Sequence, residues 1–170
     1  SKHPEIVYGF SLGGEWRGFD LNIFFQGVAH RSIMAGYRDW KWTEQSVLDI
    51  WSDAYSNSSF APNNPYMTDN LNGKYPRVGG TGSATANGQP SSFWLLNGNY
   101  LRLKNLEIGY TVPKSALQQV GLDGLRVYVS GTNLFVLDHI GTYDPENSSN
   151  YDAYQYPLMK SFNVGLSLTF

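Results

Sequence analysis

Leu158-Met-Lys-Ser-Phe-Asn-Val-Gly-Leu-Ser-Leu-Thr-Phe170 alternates without a break once it passes Lys160. Phe162, Val164, Leu166, Leu168 and Phe170 fall on one parity, and Ser161, Asn163, Gly165, Ser167 and Thr169 on the other. Side chains of a strand point alternately to opposite faces, so this period of two sorts the residues onto one apolar and one small, uncharged polar face. The apolar parity runs to the final Phe170. Ends of soluble domains usually fray. An aromatic end to a membrane-crossing strand would instead sit in the interfacial girdle.

The same alternation recurs upstream. Ile6, Tyr8, Phe10 and Leu12 oppose Val7, Gly9, Ser11 and Gly13; after Arg17-Gly18, Phe19, Leu21, Ile23 and Phe25 oppose Asp20, Asn22, Phe24 and Gln26. This predicts an antiparallel hairpin over 6–15 and 19–26. A third strand is predicted over 93–111. Its parity changes between Leu101 and Leu103 on one side and Leu106, Ile108 and Tyr110 on the other, which calls for a bulge near Lys104-Asn105. Pro113 ends it, and 114–119 reads as one helical turn closed by Gly121. A fourth strand over 125–135 sets Leu125, Val127 and Val129 against Arg126, Tyr128, Ser130 and Thr132, and the fifth is 158–170. Between strands two and three the pattern stops for roughly 66 residues, too long for an ordinary connection. One helical stretch is expected there, with Thr43 as N-cap, Glu44 in the first turn and Val47, Trp51, Ala54 and Tyr55 at helical spacing. Gly79 to Pro90, rich in Gly, Thr, Ser and Ala, reads as a loop.

The fold class expected is therefore all-β: an antiparallel meander of about five strands with one short loop helix. Alternate connections of a meander lie at opposite ends, so short turns collect at one end and the long segments 27–92 and 136–157 at the other. Outer-membrane barrels have that asymmetry, with short periplasmic turns and long extracellular loops. A soluble antiparallel β-sandwich acting as a glycan-binding module alternates in the same way and remains the alternative.

Composition narrows the classes. The 170 residues carry 12 basic and 14 acidic side chains, so no basic footprint of a nucleic-acid binder exists. Aromatics make up 15% of the chain and there is no cysteine, which excludes disulfides, thiolate metal sites and a cysteine nucleophile. No Ser elbow, P-loop or dinucleotide fingerprint occurs, and Gly79-Gly80-Thr-Gly82 lacks the lysine of a phosphate loop. An enzyme is not expected. His3, His30 and His139 stand apart, so no metal ligand set and no cofactor is assigned. Asp138, Asp144, Glu146 and Asp152 share a segment, but their spacing is not that of an EF-hand, and Asp144-Pro145 reads as a turn start. The candidate substrate- or partner-binding residues are the aromatics of the long segments, Tyr37, Trp40, Trp42, Tyr66, Tyr143, Tyr151, Tyr154 and Tyr156, whose flat faces and polar tips suit sugar rings or a protein interface. Phe162, Val164, Leu166, Leu168 and Phe170 are the candidate membrane-facing set.

Asn99-Tyr-Leu-Arg-Leu-Lys-Asn-Leu-Glu-Ile-Gly-Tyr-Thr-Val-Pro113 resembles the C-terminal region of the SusC/RagA family of TonB-dependent outer-membrane transporters of Bacteroidetes-type bacteria. So do Leu125-Arg-Val-Tyr-Val-Ser-Gly-Thr-Asn-Leu-Phe135, Tyr143-Asp-Pro-Glu146, Tyr156-Pro-Leu-Met-Lys-Ser-Phe162 and the hairpin carrying Tyr8-Gly-Phe10, Phe19-Asp-Leu21 and Phe25-Gln-Gly27. The resemblance is weakest over 28–92. It implies that residues 1–170 are the C-terminal segment of a plugged 22-stranded barrel, without its plug domain. It also implies uptake of oligosaccharides or peptides with a SusD-like surface lipoprotein, and energy from the TonB complex through an N-terminal part not present here. Outer-membrane lipid would be the remaining partner, and the cell outer membrane the location.

Overall fold

The computed structural model describes residues 3–35, 52–60, 63, 65, 68–77, 89–118, 121–141, 144–146, 156 and 158–170. The chain divides into two compact units. The first comprises Ser1–Ile33, Asn97–Glu146 and Tyr156–Phe170; the second comprises Met34–Leu96 and Asn147–Gln155.

The first unit is built on a five-stranded antiparallel sheet in the order β1 (Ile6–Trp16), β2 (Phe19–Ala29), β5 (Tyr100–Thr111), β6 (Gly124–Asp138) and β7 (Ser161–Thr169). β3 (Ser32–Met34) and β4 (Leu95–Asn97) form a separate two-stranded ribbon. The β1–β2 hairpin turns on Arg17 and Gly18 alone, at φ 49° and 87°. Two successive left-handed residues give the turn whose twist matches that of the flanking strands. Gly18 is required twice over, since a Cβ there would also lie 2.9 Å from the Thr111 carbonyl oxygen.

The bulge expected near Lys104-Asn105 falls at Lys104. Leu103 pairs with Phe25 and Asn105 with Phe24, leaving Lys104 without a partner on β2. On the other side Leu103 faces Phe135 and Asn105 faces Thr132, so β6 sets two residues, Leu134 and Asn133 (φ 53°), against Lys104 and carries one extra residue of its own. The extra residue keeps Leu101 and Leu103 on the same face as Leu106, Ile108 and Tyr110. α1 (Lys114–Leu117) is one turn between β5 and β6, and Leu117 is buried.

Several boundaries differ from those expected. The third strand does not run through 93–111: Ser92–Trp94 is a 3-10 turn, β4 is three residues long, and the strand restarts at Tyr100. The pattern does not stop at Gly27 either, because β2 continues to Ala29 and β3 follows. β6 runs on to Asp138. Of the expected loop helix, Thr43, Glu44, Val47 and Trp51 lie outside the described residues. Ala54 is in a parallel bridge with Tyr75, and Tyr55 donates its N–H to the Tyr75 carbonyl at 2.7 Å, so neither is helical.

No helix among the described residues is long and apolar enough to cross a membrane, which says nothing of strands. The sheet inverts ordinary burial. Phe162 is 72% and Leu166 65% exposed. A sandwich would cover that face, because sheet pairs bury their inner alternation. The alternative of a soluble β-sandwich is corrected on this ground.

Candidate functional site

Three features are built on this frame. The first is the sheet itself. Cross-strand register places Trp16, Phe19 and Tyr110 in one row, Leu12, Ile23 and Leu106 in another, and Val164, Val129, Ile108 and Leu21 in a third. Phe10 and Phe25 stack at 4.9 Å, and Phe19 and Tyr110 meet at 4.6 Å. Such cross-strand aromatic pairs add to the ladder. The opposite face carries the charged side chains and small residues, with Val7, Phe24, Val28 and Tyr128 among them. There Arg126 of β6 is gripped by both oxygens of Asp20, with its Nε donating to Oδ2 at 3.0 Å, and its Nη2 donates to Glu107 at 2.7 Å. The Arg126 guanidinium also lies 5.0 Å from the centre of the Tyr128 ring. That ring covers Gly165, where an added Cβ would run into it.

The second feature anchors the β6–β7 connection. Arg102 of β5 is 2% exposed and donates from Nη2 to Asp144 Oδ1 at 2.6 Å. Its Nε lies 2.6 Å from Glu146 Oε1, an ion pair without hydrogen-bond alignment. Lys104, the bulge residue, reaches Glu146 Oε2 at 2.7 Å. Arg31 donates from Nη1 to the Pro145 carbonyl. Asp144 also accepts from the N–H groups of Glu146 at 2.9 Å and Leu158 at 3.3 Å. A buried ion pair is held only when its remaining lone pairs and protons are met, and this carboxylate has three donors.

The third feature is a hollow of about 530 Å³ in the second unit, lined chiefly by Tyr55, Lys74, Tyr75, Arg77, Phe93 and Trp94. Trp94 is 3% exposed, stacks on Tyr75 at 6.4 Å with 15° between planes, and meets Phe93 edge-on at 4.7 Å. Nearby, the Ser58 N–H donates to Asp69 Oδ1 at 2.5 Å, and that bond holds the Asp69 carboxyl below the usual carboxylate range.

Of the eight aromatics singled out in the sequence, Tyr37, Trp40, Trp42, Tyr66, Tyr143, Tyr151 and Tyr154 lie outside the described residues. Tyr156 is described and is 83% exposed. Among the described residues, Tyr156 does not line the hollow. Phe93 and Trp94, expected in a strand, stand in a 3-10 turn, and Tyr55, expected in a helix, bonds the Tyr75 carbonyl. Asp144-Pro145 does start a turn, as expected, but its pairing with Arg102 spans 42 positions and has no local signal. Asp138 accepts from the N–H groups of Ile140 at 2.7 Å and Gly141 at 3.0 Å, turning the chain out of β6. No group of three or more metal-ligating side chains occurs among the described residues.

No family model matches the chain. It is 30% identical to the TonB-dependent receptor P3 of Formosa agariphila, over 98% of this chain and 16% of that protein. It is 25% identical to the TonB-dependent receptor SusC of Bacteroides thetaiotaomicron, over 98% of this chain and 15% of that protein. The solved structure of the RagAB peptide importer in its closed-closed state superposes with a TM-score of 0.68 and 26% identity, covering 100% of this chain and 18% of that one. The chain thus spans about a sixth of the length of these relatives.

Proposed function

Since the chain is a barrel segment of the SusC/RagA type of TonB-dependent transporter, we propose that the whole protein imports oligosaccharides or peptides across the cell outer membrane. In this reading a SusD-like surface lipoprotein covers the outer end, and the TonB complex acts through a part upstream of this segment. The segment's own role is passage and docking, not bond chemistry; the named relatives are receptors and importers. The residues then divide by solvent. Phe162, Val164, Leu166, Leu168 and Phe170 face lipid, with the matching rows of the other four strands. Asp20, Glu107 and Arg126 face the lumen. The segments 27–92 and 136–157 are extracellular, and Tyr37, Trp40, Trp42, Tyr66, Tyr143, Tyr151, Tyr154 and Tyr156 offer ring faces to substrate or partner there. The observation that carries the reading is the exposed apolar row of β7, continued across neighbouring strands, while the charged cluster of Asp20, Glu107 and Arg126 stands on the other face. Five strands leave two unpaired edges, which only further strands satisfy in lipid. The test is the intact mass of the polypeptide carrying this segment, taken from an outer-membrane fraction. A species several times heavier than 19.0 kDa is expected, and a soluble one of 19.0 kDa overturns the reading.

A further inference from the structure

We infer that the tip of the β1–β2 hairpin binds the phosphate of an anionic phospholipid, with Arg17 as the phosphate ligand and Trp16 as the ring that holds it in place. The inference rests on the import reading above, in which this short-turn end is periplasmic, and adds to it a lipid site. Three observations lead to it. First, Arg17 sits where the backbone does not favour it. A two-residue turn with both residues left-handed calls for Asn-Gly or Asp-Gly. Gly18 meets that demand, but Arg17 at φ 49° does not. A long side chain is strained there, so the turn itself supplies no reason for an arginine.

Second, the guanidinium stands at the end of the apolar face. It lies 4.9 Å from the centre of the Trp16 ring. Trp16 is 69% exposed and opposes Phe19, which in turn meets Tyr110. Trp and Tyr, with apolar bodies and polar tips, settle where hydrocarbon gives way to headgroups. A cation stacked on the outermost ring of that row is held at the depth of lipid phosphates, with the rings set against the acyl chains.

Third, the charge of Arg17 is not answered by the protein. Arg17 is exposed, and no carboxylate forms an ion pair with it among the described residues. The acids nearest in sequence belong to the other face. Asp20 lies there and shares Arg126 with Glu107, and Glu15 stands opposite Asp20 on the same parity. A guanidinium fork matches two oxygens of a phosphate and is weakly hydrated, which suits it to an interface. Anionic headgroups attract basic side chains placed beside them.

The test is native mass spectrometry of the full-length transporter, delipidated in detergent and titrated with dioleoyl phosphatidylglycerol or dioleoyl phosphatidylcholine. Phosphatidylglycerol is expected to fill its first site at about a fifth or less of the concentration phosphatidylcholine needs. Arg17→Asn is the decisive variant, because asparagine suits the left-handed turn position better than arginine. It should raise the phosphatidylglycerol concentration needed about tenfold, while the unfolding midpoint stays level or rises. Arg17→Lys keeps the charge without the fork and should fall between the two. Trp16→Leu keeps an apolar side chain without the ring and should weaken the lipid about threefold or more. Glycerol phosphate, the headgroup anion without acyl chains, should not displace the lipid. Alike binding of the two lipids, an Arg17→Asn or Trp16→Leu variant that binds phosphatidylglycerol as the unchanged protein does, or displacement by glycerol phosphate overturns the inference. The import reading is scored apart, by recovery of the same protein from the outer membrane. A protein recovered there that binds the two lipids alike sinks the lipid site alone.

Discussion

The five-stranded sheet and the loop unit follow opposite burial rules. In the sheet the largest apolar side chains are exposed, row after row, while Arg102 is shielded. In the loop unit Trp94, Ala54 and Ala35 are shielded, and Lys74 and Arg77 are exposed. Water rewards only the second arrangement. The first is stable where hydrocarbon replaces water on one face and a wet lumen meets the other. One chain is thus made for two solvents, and its strands are held by ladders where its loop unit is held by aromatic packing.

The largest expected effect tests whether the shielded charge of the sheet is as dependent as it looks. Asp144→Ala removes the aligned partner of Arg102 and leaves it only the unaligned Glu146 contact, and should cost about 3 kcal/mol. It is read as a lowered unfolding midpoint of the transporter in detergent; a cost under about 1 kcal/mol would mean that the anchor is ornamental. Next, Leu166→Arg should cost about 2–4 kcal/mol and deplete the outer-membrane fraction. Ser167→Arg, one residue on and on the other face, should assemble nearly normally, and equal depletion would erase the assignment of faces. Lys104→Ala removes a largely shielded ion pair but leaves Glu146 beside Arg102, and should cost about 1 kcal/mol, measured by the same unfolding midpoint. The smallest effect lies in the loop unit. The Asp69 carboxyl is held low by the Ser58 N–H, so its contribution is present above about pH 3.9 and is lost as pH falls through the lowered value. Protection of the Ser58 amide from hydrogen exchange should therefore fall only in acid. In Asp69→Asn it should already be weak at neutral pH, while the sheet amides keep theirs.

The sheet was legible because each strand meets two different solvents, which forces a period of two. Even the irregularity at Lys104 could be read, since Leu103 and Leu106 sit on the wrong parities for an unbroken strand. β3 and β4 could not, because three residues are too few to display a period. The anchor could not, because Arg102 and Asp144 show nothing locally that marks them as partners. The hollow failed for a different reason. Its Tyr55, Tyr75 and Trp94 come from three stretches joined by packing, and packing leaves no repeat in the sequence. The aromatics chosen by their place in a long segment lie, except for Tyr156, outside the described residues.

The anchor at Asp144-Pro145-Glu146 also divides what it holds. The β6–β7 connection becomes two spans end to end, one from Asp138 to Asp144 and one from Glu146 to Ser161. Closure entropy grows only with the logarithm of length, about 0.6 kcal/mol for each doubling. Residues inserted into one span would cost little and would leave the other span's closure untouched. Such a connection can diversify in two places independently of one another.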